Sequence, residues 1–532
     1  MQFFIKLYLI LSSLLDGKRL LNLINKPLGM CLSSMVLGAI MSLSIAPVEK
    51  WPFAVIALGF FMMQLYTCKY IPQVGLLSVL FFGTYATLSL TWLNFVLEGF
   101  GQVPLVLSYI IIIGGSFGYI AFTYAIPNMI AFGIAKNKKA VYLCCFVPIA
   151  FIISDYIVYY FLSGFPWLYA GYSCVEGPLK NYAPFIGVRG INLALYVLSA
   201  ALALTAMRKF LFLPVAAMIL IVGVFLENIP QVEKMPTVNA SLVQANITQS
   251  VHNNAASVNE IFSTYWTLTK PKLSNSKIVV WSESALPIDY YSSADLISDL
   301  DTVFKNDKSA LITGIFTSAQ SKIYNSIVHI GDGADLAHDL PYQKRKLVPF
   351  GEFVPFEDIL RPLGSIFVIP NSSFSYGPDE QPPITINDYK FIPAICYEAI
   401  FPEVISSMDS EHTNGIIMVS NDSWFGPTQA PQQHLNIARM RAMELQKPML
   451  RCTNSGITAY IDENGKVVDR LPQDQEGVLT VQFSPVKGQT FYSKYGTQTL
   501  FLIMLILLVL GIRGLRQKDD PTKDTMSKLV RP

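Results

Sequence analysis

Cys396 stands at the end of an apolar, strand-like run over residues 389–395, within Ala394-Ile395-Cys396-Tyr397-Glu398. A thiol in that place, followed by an aromatic ring and an acid, has the makings of a nucleophile. Two other segments carry reactive groups in a similar way. Ile278-Val279-Val280-Trp281 reads as a short buried strand and is followed at once by Ser282-Glu283-Ser284. Tyr342-Gln343-Lys344-Arg345-Lys346-Leu347-Val348-Pro349-Phe350-Gly351-Glu352 sets three cations ahead of a tight turn. Open α/β sheets place ligands beyond the carboxyl ends of their strands. Glu283, Cys396 and the segment Asn421-Asp422-Ser423-Trp424-Phe425-Gly426 all fall at such ends.

A cysteine nucleophile needs a base to take its proton and donors to hold an oxyanion. The five histidines, at 252, 329, 338, 412 and 434, show no pairing context; His434, on a helical pattern over 432–446, reads as a surface or packing residue. Glutamate is then left to act as base. Lys344 is the natural cation, since a nearby ammonium lowers a thiol pKa and stabilises a tetrahedral oxyanion. Cys452, in Met449-Leu450-Arg451-Cys452-Thr453-Asn454, also lies near a strand end but has no neighbouring acid. A Cys396–Cys452 disulfide would inactivate the site.

The elements that must position these groups follow from composition. The 532-residue chain is 52% hydrophobic and only 14% charged, against about 25% charged for a soluble domain. This is the profile of an integral membrane protein. The net charge of +2 gives no footing for nucleic acid. Seven cysteines, an odd number without CxxC spacing, argue against a disulfide framework or a zinc site.

Apolar stretches of span length fall at 27–47, 51–66, 74–95, 104–132, 141–161, 186–207, 210–226 and, after a polar block, 497–512. Residues 3–15 are shorter and read as an interfacial segment, with an extra span as the alternative. Lys18, Arg19, Lys26, Lys69, Lys136, Lys138, Lys139, Arg208, Lys209, Arg513, Arg516 and Lys518 all fall on one side of this arrangement. That side is cytoplasmic by the positive-inside rule. Seven spans then put the polar block outside the cytoplasm. Within it, strand-like runs at 238–246, 277–281, 310–316, 323–330, 389–395, 415–420, 449–453, 456–461 and 477–483 mix with helical patterns at 255–270, 294–305 and 432–446. The mixture reads as α/β or α+β.

The reactive segments resemble the nitrilase superfamily, whose catalytic set is Glu, Lys and Cys, here matched by Glu283, Lys344 and Cys396. The resemblance is closer still to the apolipoprotein N-acyltransferase family of Gram-negative bacteria. It is carried by Trp281-Ser282-Glu283-Ser284-Ala285-Leu286-Pro287, Leu347-Val348-Pro349-Phe350-Gly351-Glu352-Phe353-Val354-Pro355, Ile395-Cys396-Tyr397-Glu398 and Ser420-Asn421-Asp422-Ser423-Trp424-Phe425-Gly426. Ala438-Arg439-Met440-Arg441-Ala442-Met443-Glu444, Thr453-Asn454-Ser455-Gly456-Ile457-Thr458-Ala459, and Gly164-Phe165-Pro166-Trp167-Leu168 with Gly171-Tyr172-Ser173 extend it over nearly the whole chain.

That resemblance implies a membrane-embedded α-helical bundle of about eight spans joined to an α/β nitrilase-like αββα sandwich. The expected division is an N-terminal interfacial segment (1–26), seven spans (27–228), a periplasmic catalytic domain (234–492), an eighth span (497–513) and a cytoplasmic tail (514–532). It implies residence in the bacterial inner membrane, a monomer, and no cofactor or metal. The implied reaction takes an acyl chain from a phospholipid, typically phosphatidylethanolamine, onto Cys396. The chain then passes to the α-amine of diacylglyceryl-cysteine in an apolipoprotein. Glu283 would be proton acceptor and Lys344 the oxyanion stabiliser.

Glu352, Asn325, Tyr397 and Glu398 match supporting positions; their plainer readings are a loop ion pair, a strand-end hydrogen bond and, for the last two, packing. Trp424 and Phe425 are candidates to wall an acyl pocket. Phe356 and Phe367, in a long apolar loop over 354–378, are candidates to meet lipid as part of a lid. One departure stands out: where the family has Gly after Gln244 and a Trp soon after Gln249-Ser250, this chain has Ala245 and His252-Asn253-Asn254. The rival reading is a membrane-tethered nitrilase-type amidase acting on small C–N substrates, for which eight spans and an apolar loop would be needless.

Overall fold

Eight apolar helices bracket a two-sheet domain in a computed structural model that describes residues 27–252, 255–355 and 374–517. Seven helices come first: α1 (Pro27–Ser42), α2 (Pro52–Thr67), α3 (Ile71–Ser89), α4 (Leu105–Ala135), α5 (Lys139–Ser163), α6 (Pro178–Ala206) and α7 (Phe210–Leu226). By length and composition, α3 to α6 and the last helix, Gln498–Arg516, can each cross a membrane; α1, α2 and α7 are shorter. The apolar stretches picked from sequence fall on these helices with shifted ends. Leu90 closes α3 with its N–H on Ala86 O, and a separate short helix, Leu93–Gly99, takes up the stretch that the sequence pattern joined to it. The interfacial segment at 3–15 and most of the expected tail lie outside the described residues, as do Phe356, Phe367 and residues 356–373 of the apolar loop.

The second domain begins with β1 (Val238–Gln244), α8 (Val258–Thr269), β2 (Ile278–Trp281), β3 (Leu286–Asp289) and α9 (Ala294–Asn306). It continues through β4 (Ala310–Ala319), β5 (Lys322–Gly331), β6 (Tyr342–Gln343), β7 (Ile384–Ile386), β8 (Tyr389–Ile395) and β9 (Gly415–Ser420). It ends with α10 (Ala430–Leu445), β10 (Met449–Thr453), β11 (Ala459–Ile461), β12 (Val467–Arg470), β13 (Gly477–Phe483) and the apolar α11 (Gln498–Arg516). One sheet has the order β13-β1-β2-β4-β5-β6, with β3 paired to β4; the other runs β12-β11-β10-β9-β8-β7. The central pairs β1/β2, β2/β4, β8/β9 and β9/β10 are parallel.

Side chains alternate across a strand, and here that alternation separates two cores. In β2, Ile278 and Val280 face the core shared by both sheets, whereas Val279 and Trp281 pack beneath α8 and α9 with Ile261, Tyr265, Ile297 and Phe304. On the far side of the second sheet α10 takes the helical layer, which completes an αββα sandwich. Fifteen residues of α10 are buried, because it is covered by the sheet on one face and by the apolar helices on the other.

The junction is keyed rather than greasy. Helix α6 breaks at Gly187, whose φ of 65° and ψ of −178° lie outside the helical region. The freed N–H of Val188 donates to Glu444 Oε1 on α10 at 2.7 Å. Arg189 then pairs with Glu403 of the sandwich and lies 4.4 Å and 4.6 Å over the rings of Tyr156 and Tyr159. A Cβ at Gly187 would come within 2.4 Å of the Tyr492 ring. Gly187→Ala is therefore expected to destabilise the folded chain by about 2 kcal/mol or more, through overpacking and a left-handed backbone. Gly114→Ala, which meets nothing within 4 Å, should not destabilise it. Thermal unfolding of both variants in detergent checks this; equal midpoints would contradict the keyed junction.

Candidate active site

Three loops at the carboxyl ends of strands converge on one buried cluster. Glu283 leaves the end of β2, and β4 passes so close that a Cβ at Gly314 would sit 2.3 Å from Ser284 N. Lys344 follows β6, with its N–H on Asn325 O at 2.8 Å. Cys396 follows β8 and opens a short 3-10 turn, Cys396–Ile400. Its φ of 48° is left-handed, a conformation that costs a non-glycine residue about 1–3 kcal/mol and must be held by its surroundings.

The Lys344 ammonium, 1% exposed, bridges two carboxylates: Nζ lies 3.0 Å from Glu283 Oε1 and 2.8 Å from Glu352 Oε1. Asn325 Nδ2 donates to the same two oxygens at 2.7 Å and 3.2 Å. The remaining carboxylate oxygens are also held, Glu283 Oε2 by Asn421 N at 2.8 Å and Glu352 Oε2 by Val348 N at 2.8 Å. Buried charges of this kind persist only when paired and fully hydrogen-bonded. Each donor here fixes one lone pair and leaves the Glu283 carboxylate with a single orientation.

Burial and the Glu283 carboxylate push the Cys396 thiol well above its ordinary range, while Lys344 pulls the other way. Burial alone would lower the Lys344 ammonium, but Glu283, Glu352 and Cys396 more than reverse it and hold the lysine charged. The resting pair is therefore a neutral thiol beside an ammonium. Such a thiol would need a base in order to react; the carboxylates that act on it electrostatically are Glu283 and, more weakly, Asp422.

The other residues singled out from sequence fall in two places. Glu398 is buried and works within the protein: Oε2 accepts from Ile395 N at 2.8 Å, and Oε1 accepts from Arg345 N at 2.6 Å and Tyr342 OH at 2.9 Å. One carboxylate thus ties the turn of Cys396 to the strand that leads to Lys344. Tyr397 OH donates to Gly164 O in the loop after α5, at 2.9 Å. Trp424 packs at a tilt against Phe100 with ring centroids 4.4 Å apart, and Phe425 packs against Trp92 and Trp167 at 5.1 Å and 5.8 Å. Both aromatics therefore face the helical half. Where the family's Trp is replaced, His252 Nε2 donates to Ser284 O at 2.8 Å, directly behind Glu283.

Cys452 is a free, fully buried thiol between the sheets, 3.3 Å from Val243 O and 3.2 Å from Val280 O. Cys396 is likewise free. Of the two readings of His434, the surface one is corrected: its ring is fully buried, packed against Trp167 and Phe425, with Asp422, Arg451 and the Cys396 carbonyl as polar partners. His434, Arg451 and Asp422 lie on three separate elements, so the cluster exists only once the fold brings them together.

The carbon-nitrogen hydrolase family matches residues 239–491, and the apolipoprotein N-acyltransferase N-terminal domain family matches residues 37–202. The apolipoprotein N-acyltransferase of Vibrio cholerae is 34% identical over 482 residues, covering 88% of this chain and 94% of that protein. That of Vibrio parahaemolyticus is 34% identical over 519 residues, covering 94% and 100%. Among solved structures, a CN-hydrolase superfamily protein from Xanthomonas campestris aligns with 18% identity and a TM-score of 0.36, covering 51% of this chain and 97% of that one.

The raised thiol sets an expectation for alkylation. Thiolate is the reacting form, so a pKa well above 9.0 leaves little of it at neutral pH. Iodoacetamide labelling of Cys396, followed by mass spectrometry, should keep rising through pH 9 without a plateau. Lys344→Met removes the charge that lowers the thiol and should shift the profile to still higher pH. A plateau below pH 8 would mean a preformed thiolate–ammonium pair.

Proposed function

The chain belongs to the apolipoprotein N-acyltransferase family, and from that membership we propose that it moves a fatty acyl chain from a membrane phospholipid, through a thioester on Cys396, to the N-terminal amine of a diacylglyceryl-cysteine apolipoprotein. The observation that carries this reading is the buried Glu283–Lys344–Glu352 cluster beside Cys396, whose backbone is left-handed.

In the first half-reaction, Cys396 Sγ attacks the ester carbonyl carbon of the donor, phosphatidylethanolamine being the expected one, as its proton passes to Glu283. The carbonyl oxygen becomes an oxyanion facing the Lys344 ammonium. Collapse breaks the ester C–O bond, and the departing lysophospholipid alkoxide takes the proton back from Glu283. In the second half, the neutral amine of the apolipoprotein adds to the thioester carbonyl and gives its proton to Glu283. Collapse breaks the C–S bond, and the released thiolate recovers that proton. The product is an amide, so ester-to-amide transfer runs downhill. Glu352 and Asn325 hold Lys344 and Glu283 in place throughout. Trp424 and Phe425 wall the acyl chain where the sandwich meets the helices, and Phe356 and Phe367, outside the described residues, are assigned to lipid contact.

Orientation follows the same reading. The helices of 27–228 and 497–513 are assigned as eight spans in the bacterial inner membrane, which puts the catalytic domain (234–492) on the periplasmic side between the seventh and eighth. Confinement of both lipid-anchored substrates to one bilayer raises their effective concentration at Cys396. The working form is assigned as a monomer.

Incubating the purified full chain with phospholipid should give one acyl mass on the peptide containing Cys396, lost in Cys396→Ala and kept in Cys452→Ala. Adding a diacylated lipopeptide should discharge it as amide. No adduct on the wild type, or an equal adduct on Cys396→Ala, would overturn the mechanism; discharge to water alone would make the protein a hydrolase.

A further inference from the structure

Beneath Cys396 lies a polar cluster that the acyl-transfer steps do not use. His434 on α10 is fully buried. Its Nε2 is 3.2 Å from the Cys396 carbonyl oxygen, and its Nδ1 is 3.2 Å from Asp422 Oδ1 and from Arg451 Nη2. Arg451 Nη2 in turn donates to Asp422 Oδ2 at 2.8 Å, and Ser420 Oγ donates to Asp422 Oδ1 at 2.6 Å. A carbonyl oxygen only accepts, so the proton on Nε2 is fixed whatever Nδ1 does. The imidazole therefore has no lone pair free toward the thiol and cannot serve as its base.

Its use must be mechanical. Cys396 holds a left-handed backbone, and such a residue keeps its conformation only where the surroundings over-determine it. Glu398 grips the turn on one side through Ile395 N. On the other side His434 grips the Cys396 carbonyl. The His434 ring also lies nearly parallel to that of Trp167, with centroids 5.6 Å apart and planes 28° apart. Trp167 belongs to the loop after α5, and its Nε1 donates to Gln433 Oε1 at 2.8 Å. A single imidazole thus connects the nucleophile's backbone to the helical half.

We infer that His434 is a positioning residue: its Nε2–H, oriented by Asp422 and Arg451, fixes the Cys396 carbonyl so that Sγ points at Glu283 and Lys344. This deepens the assignment of Cys396 as nucleophile and rests on it. His434→Phe keeps a ring against Trp167 and loses the donor. His434→Gln can still present an amide N–H to the same carbonyl.

The test uses the full-length protein in mixed micelles of detergent and phosphatidylethanolamine. It follows the rate of acyl adduct formation on Cys396 at saturating lipid, the lipid concentration at half-maximal rate, and the thermal midpoint. A small misplacement of a reacting group is costly: His434→Phe should slow acylation about tenfold or more, with half-saturation within about twofold of wild type, and His434→Gln should recover most of the rate. Should the Phe variant fail to fold, His434→Met carries the same expectation. Wild-type acylation in His434→Phe, or equal impairment of the Phe and Gln variants at equal folded fraction, would overturn the inference alone. No adduct in the wild type would overturn the Cys396 assignment and this inference with it.

Discussion

An ammonium buried between two carboxylates is the constraint on which the rest of this molecule turns. Lys344 is 1% exposed and has Glu283 and Glu352 within 3.0 Å. Stripping water from three charges costs several kcal/mol per ion, and that cost is met only by good geometry and a full set of hydrogen bonds. The fold supplies them from separate elements: Asn325 from β5, the Asn421 N–H from the end of β9, and the Val348 N–H from the turn after Lys344. Losing any of these would leave a carboxylate lone pair unmatched inside the protein. The sandwich can be seen as the frame that brings those donors to one point. In return, the point holds a fixed carboxylate and a fixed cation beside Cys396 without a water shell to reorganise.

The second constraint is that this cluster faces a helical half and not bulk water. Helix α10 is where the two meet. Most of its polar residues are buried and committed. Gln433 meets Trp167, Glu444 meets the broken turn of α6, Arg439 meets Glu176, and His434 meets the Cys396 carbonyl. A junction of directional bonds fixes distance and angle in a way that apolar packing alone does not. For an N-acyltransferase, such fixity holds Cys396 in a set position relative to the helical half.

Much of this was legible in the chain. The apolar runs, the strands of the sandwich and the Glu283, Lys344 and Cys396 loops were readable because each is a local pattern: a hydrophobic period, then a reactive residue at a strand end. What escaped was relational. His434, Asp422 and Arg451 are distant in sequence and each reads as an isolated polar residue until β9, α10 and β10 lie side by side. Helix α10 has no clean apolar stripe because it is covered on both sides, so periodicity could not tell its faces apart. Gly187 lies inside an apolar run that looks like continuous helix, and only the ring of Tyr492 shows why the helix breaks there. Glu398 could be read from sequence only as packing or as a supporting acid; the three donors that tie two loops through its carboxylate come from elements the sequence does not place together.

The central claim is that the oxygen of the tetrahedral intermediate is received by Lys344. A long-chain aldehyde tests it directly, because a thiol adds to an aldehyde carbonyl to give a thiohemiacetal whose oxygen stands where the oxyanion would. A structure of the protein with hexadecanal bound should show a bond from Cys396 Sγ to the aldehyde carbon. It should place the new oxygen about 3 Å from Lys344 Nζ, with the alkyl chain running toward Trp424 and Phe425. A thiohemiacetal oxygen turned away from Lys344, or an aldehyde bonded to any residue other than Cys396, would contradict the account.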